Sequence, residues 1–161
     1  MGAAKVLTKD PQGNPNNTPY VVSRYYRAPE LIMGSNKYDC SIDIWSVGCI
    51  LFELISRTPL FPGDAEGLQI LEQIQIKGMP TPTEVRSLKK IIELPVVGLL
   101  LKSTNHGQVD IASLLMKQYN SFNSETDIMQ AADLINQCLS WVPEDRIKAS
   151  DALCHKFLAN K

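Results

Sequence analysis

The chain has 161 residues, of which 44% are hydrophobic and 20% are charged. This composition excludes a wholly disordered polypeptide and fits one globular domain large enough to bury its own core. The 16 lysines and arginines nearly balance the 17 aspartates and glutamates, giving a formal net charge of -1. Such a balance argues against a general nucleic-acid binder and against a protein that binds anionic membranes. No apolar run approaches the roughly 20 residues that span a bilayer, so we expect no membrane partner.

The pattern of apolar residues predicts an all-α protein, because no segment shows the sustained alternation of a half-buried strand. Prolines and asparagines in the first 19 residues indicate a loop. Short helices are predicted after Pro29, where Gly34 follows the helix end, and at residues 83–92, 96–102 and 109–119. Longer helices are predicted at residues 41–57, 64–77 and 126–141, and a last helix begins at Ser150.

The helix at residues 41–57 has apolar residues on nearly every side, which predicts a helix buried all round at the axis of the core. Asp64 is a candidate N-cap for the next helix, because its carboxylate can accept from the first free backbone amides. The helix at residues 126–141 has one apolar face, which we expect to point inward. Its members are Ile128, Ala131, Ala132, Leu134, Ile135, Cys138 and Leu139.

The four cysteines are not spaced as metal ligands or as a redox pair. We therefore expect buried, reduced thiols in a cytoplasmic, possibly nuclear, protein, with no metal site in this chain.

Four motifs in a fixed order carry a family resemblance: RAPE at residues 27–30, SIDIWSVGC at 41–49, PLFPG at 59–63 and WVPEDR at 141–146. Together they resemble the helical C-terminal lobe of a eukaryotic serine/threonine protein kinase. VSRYYR at residues 22–27 and FPGD at 61–64 resemble the CMGC group, and residues 20–30 are most similar to glycogen synthase kinase 3. The resemblance implies an activation-segment remnant and short helix at residues 1–34. Residues 35–161 would then form the lobe, with a divergent insert at 79–122.

The resemblance also implies which catalytic parts to expect. The family transfers the γ-phosphate of ATP, with Mg²⁺, to protein serine or threonine, using a glycine-rich loop, a lysine, metal ligands and a catalytic aspartate. The residues GAAK at 2–5 resemble the segment that begins at the glycine of the Asp-Phe-Gly motif, and none of those parts appears in this sequence. We therefore expect no catalytic, cofactor-binding or metal-binding residue here. The N-terminal β-lobe is expected to be absent, and the chain by itself is expected to be inactive.

The resemblance singles out four residues for contacts with phosphate or substrate. Tyr20 matches a phosphorylated tyrosine, and Arg24 and Arg27 follow at spacings suited to bind its phosphate. Arg27 also matches a residue that shapes the pocket for the substrate position after the phosphoacceptor. Lys5 matches one of three basic residues that bind a phosphate already present on the substrate. Local composition alone favours ordinary exposed side chains for Tyr20 and the two arginines and fits a solvated Lys5 at least as well, whereas the family resemblance reverses the preference for Tyr20.

Three further residues are structural in the family. The resemblance implies a buried ion pair between Glu30 and Arg146 that ties the activation segment to the last helices. Asp43 matches the aspartate that anchors the catalytic loop, and in this chain it is equally a favourable first-turn carboxylate.

Protein substrates and scaffold helices are the partners that the resemblance implies. Ile70, Leu71 and Ile74 are candidates to line a groove for a scaffold helix, although Gly67 replaces an apolar residue of the family's rim. Two functions remain open: part of a serine/threonine kinase, or a non-catalytic module that binds kinase scaffolds or substrates. The order of the motifs argues against an unrelated all-α protein.

Overall fold

The computed structural model describes residues 24–88, 109–118 and 124–159, and within these ranges it contains helices and no strand. The all-α prediction is therefore confirmed for the described residues. Two 3₁₀ turns, Arg24–Tyr26 and Pro143–Asp145, accompany the helices. The helices are α1 (Pro29–Ile32), α2 (Ser41–Ser56), α3 (Glu66–Lys77), α4 (Pro82–Leu88), α5 (Ile111–Gln118), α6 (Glu125–Cys138), α7 (Ala149–Leu153) and α8 (Lys156–Ala159). None of these helices is long and apolar enough to cross a membrane.

Helix α2 forms the centre of the main core, where it packs against α6, and α6 packs in turn against α5. Trp45 of α2 is fully buried and stacks on Phe61, with 5.8 Å between ring centroids. The inward face predicted for α6 is confirmed, because all seven of its members are buried. Gly48 allows the two helices to approach closely, since a Cβ there would lie 2.7 Å from the Cβ of Cys138.

The prediction that α2 is buried all round is wrong. Val47, Ile50 and Leu54 are 50%, 45% and 62% exposed, and they follow one another at spacings of three and four residues. Those spacings place them on one face of the helix, which the described part of the chain leaves open to solvent. Helix α2 therefore buries most of its surface and presents one apolar stripe.

Helix α3 and α4 build a second, smaller core with the end of α1. Ile70 and Ile74 of α3 pack there with Met33, Val85, Leu88 and Trp141. The predicted cap of α3 is wrong, because Ala65 is the N-cap residue and the Asp64 carboxylate accepts a hydrogen bond from Tyr25 instead. Gly78 ends the helix as predicted, with a φ of 74°.

The last predicted helix is two short helices. Ser150 lies inside α7, whose N-cap residue is Lys148, and a break at Cys154 and His155 separates α7 from α8. His155 turns the chain there by accepting a hydrogen bond from the Phe157 amide at its Nδ1, while Nε2 contacts Asp133. The predicted helix at residues 96–102 lies outside the described residues, as do residues 89–92 of the helix predicted at 83–92.

Candidate functional site

The segment Arg24–Arg27 lies between α2 and α3 and is held through its backbone. All four of its carbonyl oxygens accept hydrogen bonds, the first of them from the Arg27 amide at 3.1 Å. The other three bonds come from buried or half-buried side chains of the two helices. The donors are Gln69 Nε2 to Tyr25 at 3.3 Å, Ser46 Oγ to Tyr26 at 2.9 Å, and Gln73 Nε2 to Arg27 at 3.0 Å. These three side chains fix the path of the segment, and we call them the carbonyl clamp.

The loop before α3 binds the same segment from the other side. Arg24 Nη1 donates to the carbonyl oxygen of Asp64, and the Tyr25 hydroxyl donates to Asp64 Oδ1 at 3.1 Å. The bond to this carboxylate raises the pKa of Tyr25. Gly63 is required by the close packing here, because a Cβ at this residue would lie 2.5 Å from the backbone of Gln69. The loop and the segment therefore form one packed unit.

Arg27 is the buried cation of this unit. Its side chain is only 3% exposed, and Nη1 lies 3.1 Å from Oε1 of Glu66, whose side chain is 57% exposed. Glu66 stands in the first turn of α3, where the helix dipole favours a carboxylate. The pair thus joins a guanidinium under the surface to a carboxylate that solvent and a ligand can reach.

Glu30, in the first turn of α1, and Arg146 are brought together as a buried ion pair. Both side chains are fully buried, and two hydrogen bonds of 2.8 and 2.7 Å join guanidinium to carboxylate. Arg146 also donates to the carbonyl oxygens of Ser140 and Ser41, each at 3.0 Å, and lies 5.2 Å above the ring of Trp45. Four bonds and an aromatic face offset the cost of burying this cation.

The remaining predicted site residues are not brought together. Asp43 is exposed, and within the described ranges no hydrogen bond or ion pair to its carboxylate is present. Ile70 and Ile74 are 7% and 0% exposed because they pack in the second core, so these two side chains do not line an open groove. Leu71 is 42% exposed. Tyr20 and Lys5 lie outside the described residues, and their roles stay predictions.

The sequence reasoning missed the two glutamines of the carbonyl clamp. A signal was present: Gln69 and Gln73 stand four residues apart, beside Ile70 and Ile74, on the face of α3 that turns inward. Both glutamines are 0% exposed. Polar side chains at inward positions are buried only where they find hydrogen-bond partners, which makes this i, i+4 pair a recognisable mark of a buried polar contact.

The thiols behave as the sequence predicts at two of four positions. Cys49 and Cys138 are buried, and burial raises the pKa of the Cys138 thiol to about 11. The pKa of the Cys49 thiol is raised further for the same reason. Cys40 and Cys154 are exposed, which corrects the expectation that all four are buried. In the described residues no group of three His, Cys, Asp or Glu side chains is arranged to hold a metal ion.

The comparison with family models identifies the family to which the chain belongs. The protein kinase domain model matches residues 1–158, so the chain belongs to the protein kinase family.

The relatives it matches point to one branch of that family. It is 35% identical to the protein kinase gsk3 of Schizosaccharomyces pombe over 157 residues, which cover 98% of this chain and 36% of that protein. It is also 35% identical to glycogen synthase kinase 1 of Pyricularia oryzae, again over 98% of this chain and 35% of the relative. Extracellular signal-regulated kinase 2 of Dictyostelium discoideum is 35% identical over 91% of this chain and 37% of the relative. The chain thus resembles glycogen synthase kinase 3 and the CMGC group, and it spans about a third of the length of these relatives.

Proposed function

We propose that this chain is the substrate-binding part of a serine/threonine protein kinase domain similar to glycogen synthase kinase 3. The complete domain would transfer the γ-phosphate of ATP, with Mg²⁺, to serine or threonine of protein substrates. The observation that carries the proposal is the kinase-family match over residues 1–158, which includes the clamped segment Arg24–Arg27. We assign no step of phosphoryl transfer to the described residues themselves.

In this proposal the segment Arg24–Arg27 contacts the substrate next to the phosphoacceptor. A substrate-contact segment must keep one conformation, because a misplacement of about 1 Å lowers the rate by roughly two orders of magnitude. The carbonyl clamp supports this role, since three side chains from two helices fix successive carbonyl groups. The Glu30–Arg146 pair supports it too, because it ties α1, which follows the segment, to the loop after α6.

Two phosphate contacts belong to the same proposal. A phosphate on Tyr20 would carry about −1.5 to −2 charges and would be drawn to the guanidinium groups of Arg24 and Arg27. The exposed Glu66 carboxylate competes for Arg27, so phosphorylation would have to displace or rearrange this pair. Lys5 would contribute one positive charge to a site for a phosphate on the substrate.

A chimeric kinase tests the proposal. The 157 residues of S. pombe gsk3 that match this chain are replaced by the matching residues of this chain, and transfer of labelled phosphate from ATP–Mg²⁺ to a serine/threonine peptide is measured. We expect a folded chimera that phosphorylates the peptide. Replacement of Arg27 by alanine should reduce transfer, whereas the exposed Glu144→Gln control should not. A folded chimera without transfer contradicts the proposal.

The second candidate function is a non-catalytic module that binds scaffold helices or protein substrates. It is favoured by Leu68 and Leu71, which are 52% and 42% exposed on the outer face of α3. A thermal-shift titration of this chain with ATP–Mg²⁺ tests whether the isolated chain binds nucleotide, which neither function requires of it. If the chain bound ATP, an ATP concentration of 100 times the Kd would raise its free energy of unfolding by about 2.7 kcal/mol. We expect an unchanged melt, and a raised Tm would contradict our assignment of nucleotide binding to other parts of the domain.

A further inference from the structure

Gln73 lies on the inward face of α3, where the buried residues are Gln69, Ile70, Gln73 and Ile74. It is 0% exposed, and its sequence neighbour Ile74 and the preceding inward residue Ile70 both belong to the second core. Its Nε2 donates to the carbonyl oxygen of Arg27 at 3.0 Å. Its Oε1 is buried, and no group in the described ranges donates to it. Among the described residues, only the donor half of the amide is therefore used.

Gln69, one helical turn earlier, shows what a fully used amide looks like at the same face. Its Nε2 donates to the Tyr25 carbonyl oxygen at 3.3 Å, and its Oε1 accepts from the Gly63 amide at 3.0 Å. It therefore links the segment to the loop before α3 and stabilises both. Gln73 makes only the donor bond, from its Nε2 to the carbonyl oxygen of Arg27.

The stability of the core does not explain a glutamine at residue 73. Burying an amide whose oxygen has no donor is unfavourable, and an apolar side chain of similar shape would pack against the same neighbours without that cost. What an apolar side chain cannot do is donate to the Arg27 carbonyl. The contact to this one carbonyl is thus the property that only the polar residue provides.

We propose that Gln73 is a positioning residue. It fixes the carbonyl of Arg27, and by doing so it holds the Arg27 backbone, at the end of the segment Arg24–Arg27, where the buried guanidinium meets Glu66. The assignment of the segment to substrate contact rests on the proposed function, whereas the positioning of Arg27 by Gln73 does not. Gln69 has a structural role in the same clamp, and the two glutamines therefore form a matched pair for an experiment.

The experiment compares Gln73→Met with Gln69→Met in this chain, because methionine keeps the length of the side chain and removes its amide. For Gln73→Met we expect a Tm within about 3 °C of the original chain, since a half-used amide is exchanged for an apolar group. Exchange of the Arg27 backbone amide, measured by NMR, should become about tenfold faster. The carbonyl carbon resonance of Arg27 should shift, whereas that of Tyr26, which Ser46 holds, should not.

For Gln69→Met we expect a Tm lower by about 4–8 °C, because two hydrogen bonds are lost. The Leu139 amide, which bonds to Ile135 in the core at 3.0 Å, reports general stability. If Gln73→Met accelerates exchange at Leu139 and at Arg27 by the same factor, Gln73 is merely structural and the proposal is wrong. Unchanged exchange and an unchanged carbonyl resonance at Arg27 overturn it as well.

A measurement on the unsubstituted chain keeps the proposal testable if Gln73→Met does not fold. The side-chain amide protons of Gln73 should exchange about as slowly as bonded backbone amides, and free-amide rates would refute the contact. These readouts follow the position of Arg27 rather than phosphoryl transfer. A chimera that fails to transfer phosphate therefore refutes the proposed function without touching this result, and the reverse also holds.

Discussion

Replacing Glu30 by glutamine should be among the most destabilising substitutions of a charged residue in this protein. The substitution keeps the shape of the side chain and removes the negative charge that faces Arg146 at 2.7 and 2.8 Å. The guanidinium then stays buried without a counter-ion, and the new amide places a donor against a donor. Breaking a buried pair in this way costs about 3–5 kcal/mol. Because roughly 1 kcal/mol shifts Tm by about 2–4 °C in a domain of this size, we expect Tm to fall by about 6–20 °C.

Urea denaturation followed by far-UV circular dichroism measures this loss, with the slope m showing whether unfolding stays two-state. Glu144→Gln is the matched control, since this carboxylate is exposed two residues before Arg146 and should change stability by no more than about 0.5 kcal/mol. The double variant Glu30→Leu with Arg146→Met removes both charges and should recover most of the loss. If Glu30→Gln unfolds at the same urea concentration as Glu144→Gln, the pair does not organise the fold and the reasoning fails.

Three more outcomes are expected. Gly48→Ala should destabilise the protein by about 1–3 kcal/mol, because the new Cβ would lie 2.7 Å from the Cβ of Cys138. Gly67→Ala should instead stabilise α3 by about 0.5–1 kcal/mol, because the space around its Cβ is open. Equal shifts of the two variants in chemical denaturation would contradict the packing of α2 on α6. Stability should fall as the pH rises from about 9 to about 11, because the unfolded thiol of Cys138 loses its proton in this window while the folded thiol keeps it; Cys138→Ala should make this part of the pH profile less steep, and Cys49, whose pKa burial also raises, should contribute part of the slope that remains. Ile50→Gln with Leu54→Gln should lower binding of a hydrophobic dye by several-fold at little cost in Tm, since both side chains are about half exposed; undiminished dye binding would show that the apolar stripe of α2 is not the surface that binds the dye.

Local signals in the sequence were sufficient for the helices that carry one apolar face. The face of α6 was predicted residue by residue because a helix repeats every 3.6 residues, so that the apolar positions report which side is buried. The end of α3 at Gly78 was predicted for a similar reason, since glycine readily adopts the positive φ found there. Resemblance to the family placed Glu30 beside Arg146 across 116 positions of the chain, which no local pattern could have done.

The failures share one cause, which is that burial depends on what packs against an element. The composition of α2 predicted a helix buried on every side, yet the described neighbours leave Val47, Ile50 and Leu54 open. Asp64 has the chemistry of a helix cap, but Tyr25 offers its carboxylate a partner from another part of the chain. Ser150 likewise lies within α7, because the helix begins one residue earlier.

The amino-acid sequence by itself determined that this protein is helical and which faces of its helices are apolar. It also determined the kinase family, through the motifs that it contains. These properties depend on residues that lie close together in the chain. The tertiary structure alone decided that Gln69 and Gln73 hold the carbonyl groups of Tyr25 and Arg27. A glutamine side chain has no preferred partner until packing brings a carbonyl group within about 3 Å of it. The geometry of the segment Arg24–Arg27 is therefore a property of the packed helices.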